Sequence, residues 1–514
     1  MPLFTVSPHA GINRRFPEHK IVGKEKQYVR ELRNMISLDG KIFIVGGASR
    51  YNTTAISGDI KWAKKIYYTI GGDDKKDQFV IAGGKIFKGN EADKTLNQVP
   101  ISNDLNLSID TNFYPIGATI KVAEQVTTFL IDGTYFYKFN GNDTGNWDKL
   151  PVKTDVDGNT IYPIYICEYL DRLWILVKQK NILIFTKNLN PENTSDSTDA
   201  GIIDLSPGKG GFPQALIVHN GFLHVIHEDY IVPVTGSSVS TFGVRPGDYI
   251  FGHGTRAPRS VITIDQDFGF LNSTDNEYHL FSDLTNPLSY NIKLGELINP
   301  VKANLTVAHL DTTLNAIRIS YVLSGESVLN AEEIYSRNET KWCGQTRERN
   351  ISCYSQWNGR GDDGRLLTGR SDTGLLMVND SSFNFDDSAI HYKFVSASYK
   401  AKDDAVVNFE FFELDAKAQG NFGIPLAYYL DTRITTRGLE SINNQGEIIL
   451  LGLIEIADQI SFLNRAIPFI DRRKGRMIRF EIEETVSDRI FEFYGINVSY
   501  NEDQRIFSKT ILGT

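Results

Sequence analysis

From about residue 40 the chain alternates short apolar runs with small or acidic turns. The recurrent unit is strand, turn, strand: QFVIAGGKIFKGN (78–90), TTFLIDGTYFYKFNGN (127–142), YICEYLDRLWILVKQ (165–179) and ALIVHNGFLHVIHE (215–228). Weaker copies are FGFLNSTDNEYHLF (268–281), LTVAHLDTTLNAIRISYV (305–322) and RLLTGRSDTGLLMV (365–378). One turn residue from each (Gly84, Gly133, Asp171, Gly221, Asn276, Asp311, Asp372) gives intervals of 49, 38, 50, 55, 35 and 61. Four strands need roughly 40–50 residues, so this irregular period predicts a β-propeller of about six or seven blades over 41–385. An assortment of unrelated hairpins is the competing reading.

Beyond SSFNFDDSAI (381–390) the strands lengthen, through IHYKFVSASYK (390–400), AVVNFEFFELDA (405–416), IPLAYYLDTRI (424–434), GEIILLGLIEI (446–456), GRMIRFEIEET (475–485) and RIFEFYGINVSY (489–500). Ile478, Phe480 and Ile482 alternate with Arg479, Glu481 and Glu483, the period of a half-buried strand. In the last run the apolar parity switches at Gly495, which predicts a bulge. These strands predict a C-terminal antiparallel β-sandwich over 386–514. Upstream, Tyr28, Val29, Leu32, Met35 and Ile36 recur at three- and four-residue spacing and predict one helix over Lys24–Ser37. The residues before it carry Pro2, Pro8 and Pro17 and read as an irregular arm, so 1–40 is an N-terminal arm with one short helix. The fold class is all-β.

Composition adds constraints. Forty-three Gly, 30 Phe and 23 Tyr in 514 residues suit strands and tight turns. No apolar run approaches the length of a membrane span, and the N-terminus has no apolar stretch of secretion-signal length. Cys167, Cys343 and Cys353 are too few for a disulfide framework or a four-cysteine zinc site and fit a reducing compartment. The net charge of −9 argues against broad duplex binding, which draws on Lys and Arg displacing counterions.

Candidate chemistry is thin. The pairs Asp73-Asp74, Asp362-Asp363, Asp386-Asp387 and Asp403-Asp404 sit beside Gly, Ser or Lys, where Asp caps turns, although paired carboxylates also serve glycosidases. SDTG (371–374) lacks the aromatic anchor of the sialidase turn it is similar to. His219, His224 and His227 lie close together, but His224 and His227 fall on opposite faces of a strand, so no metal is expected. TDVDGNT (154–160) lacks the downstream Glu of a calcium loop. Arg360-Gly361-Asp362 matches an adhesion tripeptide within a glycine-rich turn. GKGGFP (208–213) has no GK[ST] and no following helix, so it is no phosphate loop. No catalytic residue and no cofactor site emerges, and an enzyme is not expected.

One run stands apart. IPFIDRRKGRMIRFEIE (467–483) packs Arg472, Arg473, Lys474 and Arg476 around Gly475, before the strand of Ile478, Phe480 and Ile482. Three features in order then resemble one family: the proline-bearing start before a chain of hairpins; Lys341-Trp342-Cys343 ahead of RLLTGRSDTGLLMV and IHYKFVSAS; and the basic turn RRKGRMIRFEIE before a last strand. The chain is similar to the tail hub, or packaged-DNA stabilisation, proteins of short-tailed bacteriophages, and more distantly to their nozzle proteins. The resemblance spans about 35–500 in organisation and is specific only over the last 170 residues. The C-terminal strands are longer than the family's and a short tail, Ser508–Thr514, is added, which leaves the tail layer open.

The resemblance implies a structural virion protein, made in the host cytoplasm, that forms a homo-oligomeric ring of six below the portal and adaptor. Such a ring would retain packaged DNA and later let it pass. Six copies total 6 × −9 = −54, and an acidic bore would let DNA slide. Arg472, Arg473, Lys474 and Arg476 then read first as a contact to a neighbouring subunit, with a solvated turn and a DNA contact as the other readings. A different class is a glycan-binding or glycan-cleaving propeller used in host recognition, suggested by Asp143, Trp147 and Asp148 in NDTGNWD.

Overall fold

The structure is a computed structural model that describes residues 3–6, 10–14, 28–122, 125–205, 211–359, 361–380, 384–386, 388–397, 399–400, 407–419, 424–431, 445–450, 460–468, 474–475, 477–486 and 491–502. It is all-β, and the only α-helical turn among the described residues is Leu294–Leu297. The chain divides into two compact units. One is Arg50–Glu332 with Glu348–Asn379; the other is Met1–Ser49, Glu333–Arg347 and Asp380–Thr514. A simple order of arm, 41–385 and 386–514 therefore misses one excursion, Glu333–Arg347, and the pairing of the chain's start with its end.

In the first of these units small antiparallel sheets follow one another along the chain. Ile60–Ile70, Asp73–Ala82, Lys85–Asn90 and Thr95–Val99 form one; Ile116–Val122 to Asp148–Lys149, Pro163–Tyr169 to Gly201–Asp204, and Pro213–His219 to Ile250–Phe251 form the next three. Ile262–Leu280 supplies a three-stranded sheet, Val307–Asp311 pairs with Ala316–Val322, and Ile351–Gln356, Leu366–Arg370 and Leu376–Asn379 complete the series. Each of the seven turn residues singled out above lies at a different hairpin. The tightest turns place two consecutive residues at positive φ, as at Gly83-Gly84, Leu170-Asp171 and Asn220-Gly221, which matches strand twist.

Consecutive sheets share apolar cores. Phe79, Phe139 and Trp147 join the first to the second, Ile131, Ile175 and Ile184 the second to the third, and Trp174, Phe185 and Tyr230 the third to the fourth. Ile217, Ile226 and Phe268 continue into the fifth, and Val307, Ile351 and Leu366 join the sixth to the seventh. The circuit closes where Leu367, Leu376 and Trp357 of the last sheet pack on Ile60, Val80 and Phe87 of the first. From the second sheet on to the first, the first strands of successive sheets neighbour one another, and Ile60–Ile70 meets Gln125–Ile131 of the second sheet, so these strands surround an axis. A backbone latch completes it: Tyr51 N–H donates to Leu376 O, Ile56 N–H to Gly374 O, and the Asn52 side chain bonds both Leu376 N–H and Gly374 O.

The other unit contains two sets of long strands. Met35–Leu38, Lys41–Ile44, Phe491–Glu502, Val407–Gln419 and Ile460–Pro468 lie in that order in one set. Lys341–Arg347, Val29–Arg33, Ser388–Ser396, Met477–Val486, Ile424–Asp431 and Gln445–Leu450 lie in that order in the other. Phe412 and Phe480 meet between them, ring centroids 5.8 Å apart. Ile478, Phe480 and Ile482 are buried while Arg479, Glu481 and Glu483 keep solvent contact, as the alternation predicts. The register between Phe491–Glu502 and its partner shifts at Gly495, the predicted bulge.

The expected helix over Lys24–Ser37 is not present in its described part. Val29–Arg33 and Met35–Leu38 are strands, with the register shifted between Val29 and Glu31 and Asn34 at φ 53 between them. The bulge and the left-handed kink put Val29, Leu32, Met35 and Ile36 inside, which imitates helical spacing. The expected free arm is also built in. Leu3–Val6 pairs with Ile496–Ser499, and Ile12, 2% exposed, donates its N–H to Trp342 O.

Candidate functional site

Charged side chains concentrate where the last sheet of the ring meets the first. Lys65 and Tyr67 alternate along Ile60–Ile70 toward the last sheet, and the glycine-rich turn after Gln356 brings Trp357 and Asp362 to them. Lys65 Nζ lies 3.0 Å from Asp362 Oδ1 and 3.3 Å from the Trp357 ring centroid, and both charged side chains are 2% exposed. Lys76 Nζ reaches the same oxygen at 2.5 Å, the Tyr67 hydroxyl donates to the other, and Gly359 N–H adds a bond at 3.2 Å. Arg365 approaches the Trp357 ring at 4.7 Å and pairs with Asp363. Trp357 Nε1–H donates to Gln78 Oε1 at 2.9 Å, so the indole is fixed at its polar edge too.

Burial works to raise the Asp362 pKa, but the hydrogen bonds from Lys76, Tyr67 and Lys65 prevail and hold it well below the usual carboxylate range. Burial and the Asp362 bond push the Tyr67 hydroxyl up to about 12. Beside this cluster opens a polar cleft of about 570 Å³, bordered by Lys76, Asp77, Lys88, Glu91, Gln98 and Thr144. Asp77 is held by Lys88 at 2.8 Å and by the Tyr68 hydroxyl.

A second network lies inside the ring unit. Arg318 Nε donates to Asp311 at 2.8 Å and Nη1 to both Glu332 oxygens at 3.2 Å, while the Tyr354 hydroxyl donates to Glu332 at 2.9 Å. All three charged side chains are at most 4% exposed. His309 stacks on Tyr354, centroids 5.2 Å apart, and burial lowers its pKa to about 4, so it stays neutral here. Partners that hold each other this closely brace adjacent sheets.

The structure separates the other candidates. His224 packs against Phe268 and Phe281 with His219, whereas His227 stacks on Tyr230 on the opposite face. No metal-competent group of three His, Cys, Asp or Glu occurs among the described residues. Asp155 folds TDVDGNT into a turn by accepting from the N–H groups of Asp157 and Asn159. Asp363 and Asp372 also bond within their turns. Asp362 does more than cap: it is the anchor of the closure, so the adhesion tripeptide has no free carboxylate there. Trp147 is fully buried on Phe139, so NDTGNWD offers no exposed aromatic for a sugar. Arg472, Arg473 and Arg476 lie outside the described residues, as do Arg360, Asp387, Asp403, Asp404, 208–210 and the tail 508–514. Of the basic turn only the Lys474–Gly475 backbone is described; it pairs with Asn408 and Val407.

No protein-family model matches the chain and no curated protein matches it. Among solved structures it is similar to the extracellular domain of a protein described as a hybrid two-component system from B. thetaiotaomicron, with 10% identity and a TM-score of 0.32, over 74% of this chain and 41% of that one. The chain thus spans about two fifths of that domain's length. It is also similar to an exo-β-1,3-galactanase from Phanerochaete chrysosporium, with 9% identity and a TM-score of 0.28, over 89% of this chain and all of the other. Likenesses this low do not bear on what the chain does.

Proposed function

We propose that the ring of sheets is a seven-bladed β-propeller, that the second unit is a β-sandwich, and that the chain is a structural tail hub or nozzle subunit of a short-tailed bacteriophage. On this reading it forms a homo-oligomeric ring, probed first as a hexamer, docks below the portal complex, helps retain packaged DNA and lines part of the ejection channel. The observation that supports the reading most is chain topology. The sandwich draws its strands from the start, an interior excursion and the end of the chain, so four chain crossings (49/50, 332/333, 347/348 and 379/380) tie it to the propeller. Multiple covalent ties suit a part that carries mechanical load. The charges at the propeller's closure support it as well, because Lys65 and Lys76 are taken up by Asp362, and Lys65 also by Glu91, within the unit itself.

The test is assembly. Light scattering and electron microscopy of the purified chain, alone and mixed with portal complexes, should show a closed ring or a portal-bound ring. A chain that stays monomeric in both mixtures overturns the proposal. A glycan-binding propeller is the second reading, favoured by the polar cleft of about 570 Å³ beside Glu91 and Asp77. Binding on a glycan array that is lost in Glu91→Gln would establish it; an array without hits and no hydrolysis of host polysaccharide would dispose of it.

A further inference from the structure

At the start of the first strands of the ring, two cations collect around one aromatic ring. Lys61 opens the first strand of the first sheet, Tyr114 precedes the first strand of the second, and Arg259 precedes that of the fifth. Lys61 Nζ lies 4.9 Å and the Arg259 guanidinium 3.8 Å from the Tyr114 ring centroid. Arg259 donates through Nη1 to Ser352 O at 2.8 Å and through Nη2 to Leu305 O at 2.7 Å, in the seventh sheet and beside the sixth. These contacts span the circuit, which puts the group about the ring's axis. Three residues along the strand from Lys61, Lys64 bonds the Thr119 hydroxyl at 3.2 Å.

Among the described residues, none of Lys61, Lys64 and Arg259 has a carboxylate within 4.0 Å. Asp59 and Asp110 are near enough to act on Lys61 electrostatically, yet neither pairs with it. All three cations keep partial solvent contact. Burial lowers the pKa of each, Arg259 to about 10, and Arg259 lowers that of Lys61 further. An enclosed cation that lacks an anion is unfavourable, and backbone carbonyls supply only partial charge.

We propose that the ring's axis holds a tetrahedral oxyanion of the phosphate or sulfate class, bound between Lys61 and Arg259 beside Tyr114. Donor accounting fits that class. A guanidinium carries five N–H donors; Arg259 uses two on carbonyls, leaving 5 − 2 = 3. An ammonium carries three; Lys61 uses one on Thr111 O, leaving 3 − 1 = 2. Two positive charges and several unspent donors suit a dianion with four acceptor oxygens better than a monoanionic carboxylate. Arg259 acts in two ways, fixing the fifth sheet to the sixth and seventh through its carbonyl bonds and presenting its remaining edge to the anion. The site is independent of the tail reading.

The experiment is calorimetric titration of the full chain, freed of phosphate, with inorganic phosphate at constant chloride, repeated with sulfate. The expected result is saturable binding of both anions, weakened at least tenfold in Lys61→Gln and unchanged in Lys138→Gln, whose lysine pairs with Glu192 elsewhere. Arg259→Lys, which keeps the charge but loses the fork, gives a second variant and should weaken phosphate at least threefold. Thermal melts without phosphate check that each variant is folded. No saturable binding up to tens of millimolar phosphate, or equal affinity in folded Lys61→Gln and the parent, overturns the proposal.

Discussion

Asp362 shows how little of a residue's role its local sequence carries. In NGRGDDGR both aspartates read as turn caps, and Asp363 is one, bonding Arg365 two positions on. Asp362 instead meets Lys65, Lys76 and Tyr67 from the far end of the ring unit, a proximity that only the closed circuit creates. Its folded-state pKa lies below the unfolded carboxylate value. The stabilisation is therefore present above pH ~4 and lost as pH falls from there. Asp362→Asn leaves the buried Lys65 with only Glu91, 3.5 Å away and 52% exposed, and should cost about 2–3 kcal/mol at pH 7; that remaining pair and the 39% exposure of Lys76 keep it below the largest buried-pair losses. Denaturant unfolding at pH 7 and pH 3 checks this. The deficit should shrink at pH 3, and an equal deficit at both values would show that lost packing is responsible.

At the scale of elements, the hairpins were legible because their turns demand particular backbones. Gly83-Gly84 and Asn220-Gly221 occupy positive φ that most residues avoid, so the turn chemistry stands in the sequence. Gly495 was legible from the switch in apolar parity along Phe491–Glu502, where the register shifts. The segment 28–38 was not, because three- and four-residue spacing can also arise from two strands joined by a bulge and a kink. Asn34 makes that kink: its side chain donates to His391 O at 2.7 Å and accepts Arg347 N–H at 2.8 Å, with φ 53. Asn34→Ala leaves both backbone groups unsatisfied at a strained φ and should cost about 2–3 kcal/mol; Asn34→Gly, which relieves the φ, should cost less. A ranking with glycine worse than alanine, measured by chemical denaturation, would show that the kink is not strained.

The closing latch of the ring obeys the same reasoning. Asn52 is fully buried and its amide serves both Leu376 N–H and Gly374 O. Asn52→Ala should lower the unfolding free energy by about 2 kcal/mol. Because first and last sheets meet there, hydrogen exchange should rise first in Leu376–Asn379 and Ile60–Ile70. Uniform acceleration around the ring would mean that closure is not its weak point.

At the scale of the whole molecule, the fold class followed from hairpin spacing, whereas the interleaving of the two units did not, since no local pattern marks Glu333–Arg347 as belonging with both chain ends. The basic turn gains a setting from that interleaving. Ile460–Pro468 lies in one set of strands of the second unit and Met477–Val486 in the other, so Arg472, Arg473, Lys474 and Arg476 fall on the link between them. Within that link the Lys474–Gly475 backbone pairs with Asn408 and Val407. In the proposed ring of subunits each carrying −9, a basic turn suits a carboxylate patch on a neighbour. Replacing Arg472, Arg473 and Lys474 together by Gln should then weaken ring or portal assembly at least tenfold at low salt. Because exposed pairs are screened over ~8 Å at 0.15 M, parent and variant should converge as salt rises. Sedimentation across a salt series reads both effects. Unchanged assembly with altered DNA retention in particles would assign the turn to DNA instead, and no change in either would leave it a solvated turn.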